Sequence, residues 1–297
     1  MWALILHGGA KEVEPEKEEA NRRGCLNALK AGQAVLMSEG SAVDAVEAAI
    51  RILEADPTFN AGYGSALHAN GQVEMCSAVM EGENFNVGAV AVIKGVRHPV
   101  SVAKAMLFDE PIFMAADGAR QYAEQKGLEL CNPEDLISPE KKKEAHDTVG
   151  CVALDIHGHI AVGTSTGGLD GAPPGRVGDS PDPGCGYYAD DKIGAVAFSG
   201  DGEHIARKML AARVIHSLGG DPDAALYNAL KEVEQIDGEA GGIVVTPSGQ
   251  FGWAHNSREF PVAMIKESDP VGRFYLRKRE EQKEQPAVQA AKRAAQG

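Results

Sequence analysis

One apolar run stands between two stretches that have little to bury. Thr148-Val149-Gly150-Cys151-Val152-Ala153-Leu154-Asp155 reads as a buried strand followed by a turn. Before it lie Glu134, Asp135, Glu140, Lys141, Lys142, Lys143, Glu144, His146 and Asp147, and residues 128–147 read as a mobile linker. After it come Gly163-Thr164-Ser165-Thr166-Gly167-Gly168 and Gly175-Arg176-Val177-Gly178-Asp179-Ser180-Pro181. A linker that drops onto a buried strand puts Thr148 at the junction. Two readings of it stand side by side. Threonine often starts strands because its branched side chain suits a pleated surface. Alternatively the chain is cut before Thr148, which then carries both a hydroxyl and a free α-amino group. An α-amino group of pKa about 7.7–8.0 is partly unprotonated at neutral pH and can serve as base for that hydroxyl, so no histidine is needed.

The remaining pattern is strands and helices on both sides of the linker. Strands are expected at 2–6, 72–80, 85–94, 148–155, 159–165, 193–199, 242–246, 250–255 and 260–266. Helices are expected at 15–38, after a Ser41 cap, and at 100–108, 117–127, 203–218 and 221–235. Asn70-Gly71 and His157-Gly158 are hairpin signals. Without strict β-α-β alternation this suggests antiparallel sheets covered by helices, an α+β fold. Each half has too few strands for a core of its own, so residues 1–297 read as one domain. The charged stretch 273–297 reads as a solvated, frayed tail.

Charge narrows the partners. Lys and Arg number 29 against 43 Asp and Glu, a net charge of −14, and no basic stripe lies outside the tail. Nucleic acid and anionic membranes are poor partners for such a surface; a small zwitterion held in a local pocket is not excluded. Five cysteines without Cys-x-x-Cys spacing fit a reducing cytoplasm better than a disulfide framework. The first residues lack the basic start of a signal peptide, and no apolar stretch is long enough to span a membrane.

Several local motifs compete. Gly163-Thr164-Ser165-Thr166-Gly167 matches a nucleophile elbow around Ser165, but a glycine- and proline-rich stretch follows where the elbow needs a helix. His157 and His159 flank a hairpin glycine without a third ligand and read as turn residues. Cys151 reads as a small core residue. Arg176 and Asp179 read locally as a surface ion pair; the alternative is a clamp for the carboxylate and ammonium of an amino acid. Ser199-Gly200-Asp201-Gly202 reads as an ordinary strand-to-helix turn; the alternative is an oxyanion hole.

Taken together, these segments resemble one family, the plant-type asparaginases and isoaspartyl peptidases among the N-terminal nucleophile hydrolases. The resemblance rests on His7-Gly8-Gly9-Ala10, Phe59-Asn60-Ala61-Gly62-Tyr63-Gly64, Thr148-Val149-Gly150, Thr164-Ser165-Thr166-Gly167-Gly168, Gly175-Arg176-Val177-Gly178-Asp179-Ser180-Pro181 and Gly200-Asp201-Gly202-Glu203, in the family's order. It implies a four-layer αββα sandwich and self-cleavage into an α subunit, 1–147, and a β subunit, 148–297, assembled as a dimer of αβ units. It implies Thr148 as nucleophile, Thr166 beside it, and Ser199 and Gly200 as oxyanion hole. Arg176, Asp179 and Gly202 would bind substrate, and Asp147 and Asn60 would serve cleavage with Thr148. It implies no cofactor for catalysis. A structural sodium would sit on backbone carbonyls of Leu53, Glu54, Asp56, Phe59, Ala61 and Tyr63.

This chain departs from the family pattern in places. Asp147 replaces the usual glycine, as in glycosylasparaginases; Ser199 replaces threonine; Cys76 and Glu81 stand where aspartates are usual. The expected activity is hydrolysis of the side-chain amide of aspartyl units, in β-aspartyl dipeptides, L-asparagine or both. The rivals are a glycosylasparaginase and an uncleaved protein that binds amino acids without catalysis.

Overall fold

Strand β1 (Ala3–His7) is buried along its whole length, and both of its neighbours come from the other half of the chain. In the computed structural model, which describes residues 1–139 and 147–284, β1 pairs antiparallel with β5 (Val149–Leu154) and with β11 (Val262–Lys266). The same sheet holds β2 (Met75–Glu81), β3 (Val87–Ile93), β4 (Phe113–Ala115), β6 (Ile160–Thr166) and β12 (Asp269–Tyr275). Its order is β12-β11-β1-β5-β6-β2-β3-β4, antiparallel except for the β3–β4 pair. A second sheet contains β7 (Tyr187–Asp190), β8 (Gly194–Gly200), β9 (Ala240–Val245) and β10 (Phe251–His255), in the order β10-β9-β8-β7.

The strand alternation sorts side chains into layers. Ala3 and Ile5 join Val152, Val162, Tyr187, Ile243 and Trp253 between the two sheets. Leu4 and Leu6 point the other way, into a cluster with residues of α1 (Glu18–Met37), α2 (Ala42–Ala55) and α3 (Pro99–Met106). Helices α5 (Gly202–Lys208), α6 (Leu210–Ser217) and α7 (Pro222–Glu234) cover the small sheet through Ile205, Val214, Leu226 and Val233. Helix α4 (Ala116–Gln125) packs at the β3 edge. The result is the expected αββα sandwich. Because both faces of the central strands are covered, β1, β5 and β9 are buried along their whole length and carry no charged side chain inside them.

Ser41 caps α2 as expected, its Oγ accepting the Asp44 N–H at 3.1 Å. Four expectations need correction. The helix expected over 203–218 is broken at Met209, which sits at φ +51° between α5 and α6. The Asn70-Gly71 turn forms, but no strand enters it from the N-terminal side. The stretch expected as a linker is docked at its start: Leu130 bridges Val96, and Leu136 is buried against the β3 edge. Residues 140–146, the rest of that linker, lie outside the described residues. The expected tail begins as structure, because β12 runs to Tyr275 and both Tyr275 and Leu276 are buried. Residues 285–297 lie outside the described residues.

Candidate active site

Thr148 precedes β5 directly, in the middle of the large sheet, and is 5 % exposed. Val149 pairs with Ser165 on β6, so Thr148 and Thr166 come next in register. From the facing sheet β8 brings Ser199, whose Oγ accepts the Thr148 N–H at 2.9 Å and the Ala10 N–H at 3.0 Å. With two donors already pointing at it, Ser199 keeps its own proton to donate elsewhere. Gly200 follows at φ +144°, and a Cβ there would stand 2.2 Å from the Glu239 carbonyl oxygen, so the β8 terminus can turn this way only with glycine.

The Asp147 carbonyl, just before Thr148, is held from two sides. Asn60 Nδ2 donates to its oxygen at 2.8 Å and Thr166 Oγ1 at 3.2 Å. Asn60 is itself fixed: Nδ2 also donates to Gly168 O at 2.7 Å, and Oδ1 accepts the Ala66 N–H at 2.8 Å. Thr148 Oγ1 lies 2.7 Å from Ser180 Oγ. Lys11 pairs with the buried Asp147 carboxylate at 2.5 Å. The imidazole of His7 is buried at the same place. Burial lowers its pKa to about 3 against the pull of Asp147, which favours the neutral imidazole.

Ser165 is excluded as nucleophile. Its side chain faces the helical layer, where Oγ donates to Glu54 Oε1 at 2.7 Å. Cys151 is fully buried in the same layer, and burial drives its thiol pKa well up. His159 pairs with Asp191, Nδ1 to Oδ2 at 2.9 Å. Among the described residues no group of three or more His, Cys, Asp or Glu could hold a metal ion.

Arg176 and Asp179 do not form the ion pair that a local reading favours. Arg176 binds Glu203 instead, Nε to Oε1 at 2.9 Å and Nη2 to Oε2 at 2.7 Å. Asp179 is 2 % exposed, and its Oδ2 has no hydrogen-bond partner among the described residues. Burial pushes its carboxyl up to about 7, although Arg176 pulls the other way. Gly202 lies between the two: a Cβ there would stand 2.9 Å from Asp179 Oδ1 and 3.1 Å from Arg176 Nη2. This corner can hold an ammonium against Asp179 and a carboxylate against Arg176.

The loop after α2 wraps tightly around its own carbonyls. Gly62 sits at φ +56°, and a Cβ there would stand 2.2 Å from the Glu54 carbonyl oxygen; one on Gly64 would stand 2.0 Å from that of Phe59. The carbonyls of Leu53, Asp56 and Ala61 each accept one N–H within the loop, from Asp56, Phe59 and Gly64. Each keeps a second lone pair, so hard oxygen donors are present for an alkali cation.

Sequence reasoning singled out Asp147, Thr148, Thr166, Ser199, Gly200, Asn60, Arg176, Asp179 and Gly202, and the fold brings Thr148, Thr166, Ser199 and Asn60 around the Asp147–Thr148 bond, with Gly200 next in chain to Ser199. Ser180, Lys11 and Glu203 went unassigned. Ser180 and Glu203 stood inside quoted motifs, and that position was their only signal. Lys11 follows His7-Gly8-Gly9-Ala10 and carried none.

Two facing antiparallel sheets, helices on their outer faces and a hydroxyl residue heading a central strand define the N-terminal nucleophile hydrolase class. The chain belongs to the asparaginase family, whose model, described as Asparaginase, matches residues 1–146 and 136–272. A Mus musculus protein named isoaspartyl peptidase/L-asparaginase is 36% identical over 285 residues, spanning 89% of this chain and 87% of its own. The Bos taurus protein of that name is 36% identical over 286 residues, spanning 89% of this chain and 93% of its own. The Danio rerio protein of that name is 38% identical over 269 residues, spanning 84% and 87%.

Proposed function

We propose that the protein cuts itself between Asp147 and Thr148 and then hydrolyses the side-chain amide of aspartyl units, in β-aspartyl dipeptides, L-asparagine or both. The observation that carries this is the doubly held Asp147 carbonyl beside the Thr148 hydroxyl. Donors aimed at a carbonyl oxygen favour the negative charge that develops when a nucleophile attacks its carbon. Thr148 Oγ attacks that carbon, the C–N bond breaks as the ester forms and so frees the α-amine, and water then cleaves the ester to give the Asp147 carboxylate and restore the Thr148 hydroxyl. The amine then takes the proton of Oγ as Thr148 attacks the side-chain carbonyl of a substrate. Ser199 and Gly200 face the oxyanion, while Arg176 and Asp179 hold the α-carboxylate and α-ammonium. The leaving amine departs protonated, and a second water hydrolyses the aspartyl ester. The names of the relatives support this substrate class.

Intact-mass measurement is the test. Wild type should give two fragments, 1–147 and 148–297, and Thr148→Ala should stay full length and inactive. A fully active, full-length wild type would sink the mechanism. Asp147 favours a second reading, a glycosylasparaginase, and turnover of N-glycosylated asparagine alongside β-aspartyl dipeptides separates the two.

The wrapped loop from Leu53 to Tyr63 supports a structural sodium held by backbone oxygens. Replacing sodium by a bulky organic cation should then lower the melting temperature. We further propose a dimer of αβ units in a reducing cytoplasm. The unpaired cysteines support the compartment, and among the described residues no helix is long and apolar enough to cross a membrane.

A further inference from the structure

Glu203, the second residue of α5, grips Arg176 along one edge of its guanidinium, through Nε and Nη2. A guanidinium is planar and offers five N–H donors in fixed directions. With the Nε–Nη2 edge taken, Nη1 and the second proton of Nη2 are left. These two nitrogens lie over Gly178, 3.1 and 3.2 Å from where a Cβ on that residue would stand. Nη2 and Asp179 Oδ1 also border one small space, kept open because residue 202 has no side chain. Asp179 Oδ2, buried and without a hydrogen-bond partner among the described residues, belongs to the same corner.

We infer that Glu203 is a positioning residue for substrate recognition: it fixes Arg176 so that the Nη1–Nη2 edge meets the substrate's α-carboxylate. The inference rests on the reading of Arg176 and Asp179 as the clamp. An arginine side chain has many rotamers, and ordering it at the moment of binding costs affinity. Glu203 orders it beforehand. The pair is half open to solvent on the Glu203 side, so it adds little to folding stability, and its effect falls on binding. The guanidinium beside it holds the Glu203 carboxyl below its ordinary range, so the grip lasts through the neutral range.

The experiment measures kcat and KM for wild type, Glu203→Ala, Glu203→Gln, Arg176→Ala and the Glu203→Ala/Arg176→Ala double variant. L-asparagine is the substrate, with 3-aminopropanamide, which lacks the α-carboxylate, as control. Glu203→Ala should raise KM for asparagine about tenfold, with kcat within about threefold of wild type. Glu203→Gln keeps a partner for one N–H and should fall between. The double variant should be no worse than Arg176→Ala alone, because Glu203 acts only through Arg176. All four variants should still cut themselves, and 3-aminopropanamide should be turned over equally poorly by all. An unchanged or lowered KM in Glu203→Ala, or losses that add in the double variant, would overturn the inference. Wild-type kinetics in Arg176→Ala would overturn the clamp reading and the inference with it.

Discussion

The junction at Thr148 and the corner at Asp179 lie close in sequence but differ in how their polar atoms are satisfied. At the junction the Asp147 carbonyl oxygen, the Thr148 N–H and the Thr148 hydroxyl all have protein partners. At the corner a buried carboxylate oxygen has none among the described residues, and the carboxyl is pushed up to about 7. A buried polar group without a partner destabilises a fold, so such a corner is kept for something that arrives from outside. The junction is complete for a reaction on the chain's own backbone. The corner is complete only with a ligand.

Substitutions can break this contrast. The largest effect should come from Asn60→Ala, which removes the shorter of the two bonds to the Asp147 carbonyl. Self-cleavage, followed by gel densitometry, should slow on the order of 10²–10³-fold, the usual cost of one oxyanion donor. Unaltered cleavage would mean that the carbonyl is activated elsewhere. Ser199→Ala should lower kcat for asparagine by a comparable ~10²–10³-fold or somewhat less. Rates equal to wild type would move the oxyanion site away from Ser199.

Asp179→Asn sharpens the comparison because it should help folding while it harms binding. The folded carboxyl holds its proton up to about pH 7, whereas an unfolded aspartate loses it near pH ~3.9. Between these values unfolding releases a proton, so this group's contribution falls as pH rises and levels off above pH ~7. The asparagine variant should therefore melt higher than wild type at pH 8, by a few degrees at roughly 2–4 °C per kcal/mol, and the gap should close towards pH 4. Aspartate should protect wild type against heat but not the variant. An equal melting temperature at both pH values would mean that the buried carboxyl is solvated. The smallest effect is expected from Lys11→Met, which removes the Lys11 ammonium from the Asp147 carboxylate. Cleavage should slow several-fold, in proportion to a charge-assisted contact that orients the bond but does not touch its carbonyl. A loss as large as that of Asn60→Ala would promote Lys11 to a reacting group.

What the sequence made legible follows from locality. Thr148 stands where a charged stretch meets an apolar run, so a short window carries its signal; Asn60, Ser199 and Gly200 were singled out by the family resemblance, since a local window reads Ser199-Gly200 as an ordinary turn. Lys11 depends on β1 lying beside β5, a pairing across some 140 positions that no window contains. Strand β12 was missed because Pro270 and Gly272 argue against a strand; it lies at the sheet edge, where a missing N–H is tolerated. Strand β7 is four residues long, too short for its alternation to stand out. The break between α5 and α6 falls on a methionine in the left-handed region, a conformation its side chain does not announce.

The order of the large sheet has a consequence for the life of the molecule. Read across, it takes β12 and β11 from the second half, β1 from the first, β5 and β6 from the second, and β2, β3 and β4 from the first. A cut at Thr148 therefore frees no piece, because each fragment is laced into the other by strand pairing on both sides of β1. The cost of the cut appears only on unfolding. The uncut chain refolds as a single molecule, but the cut one must find its other fragment, so its recovery becomes second-order and dependent on concentration. If the chain is cut as proposed, folding has to come first and cleavage second, and the cut protein would then persist through slow unfolding rather than through efficient refolding.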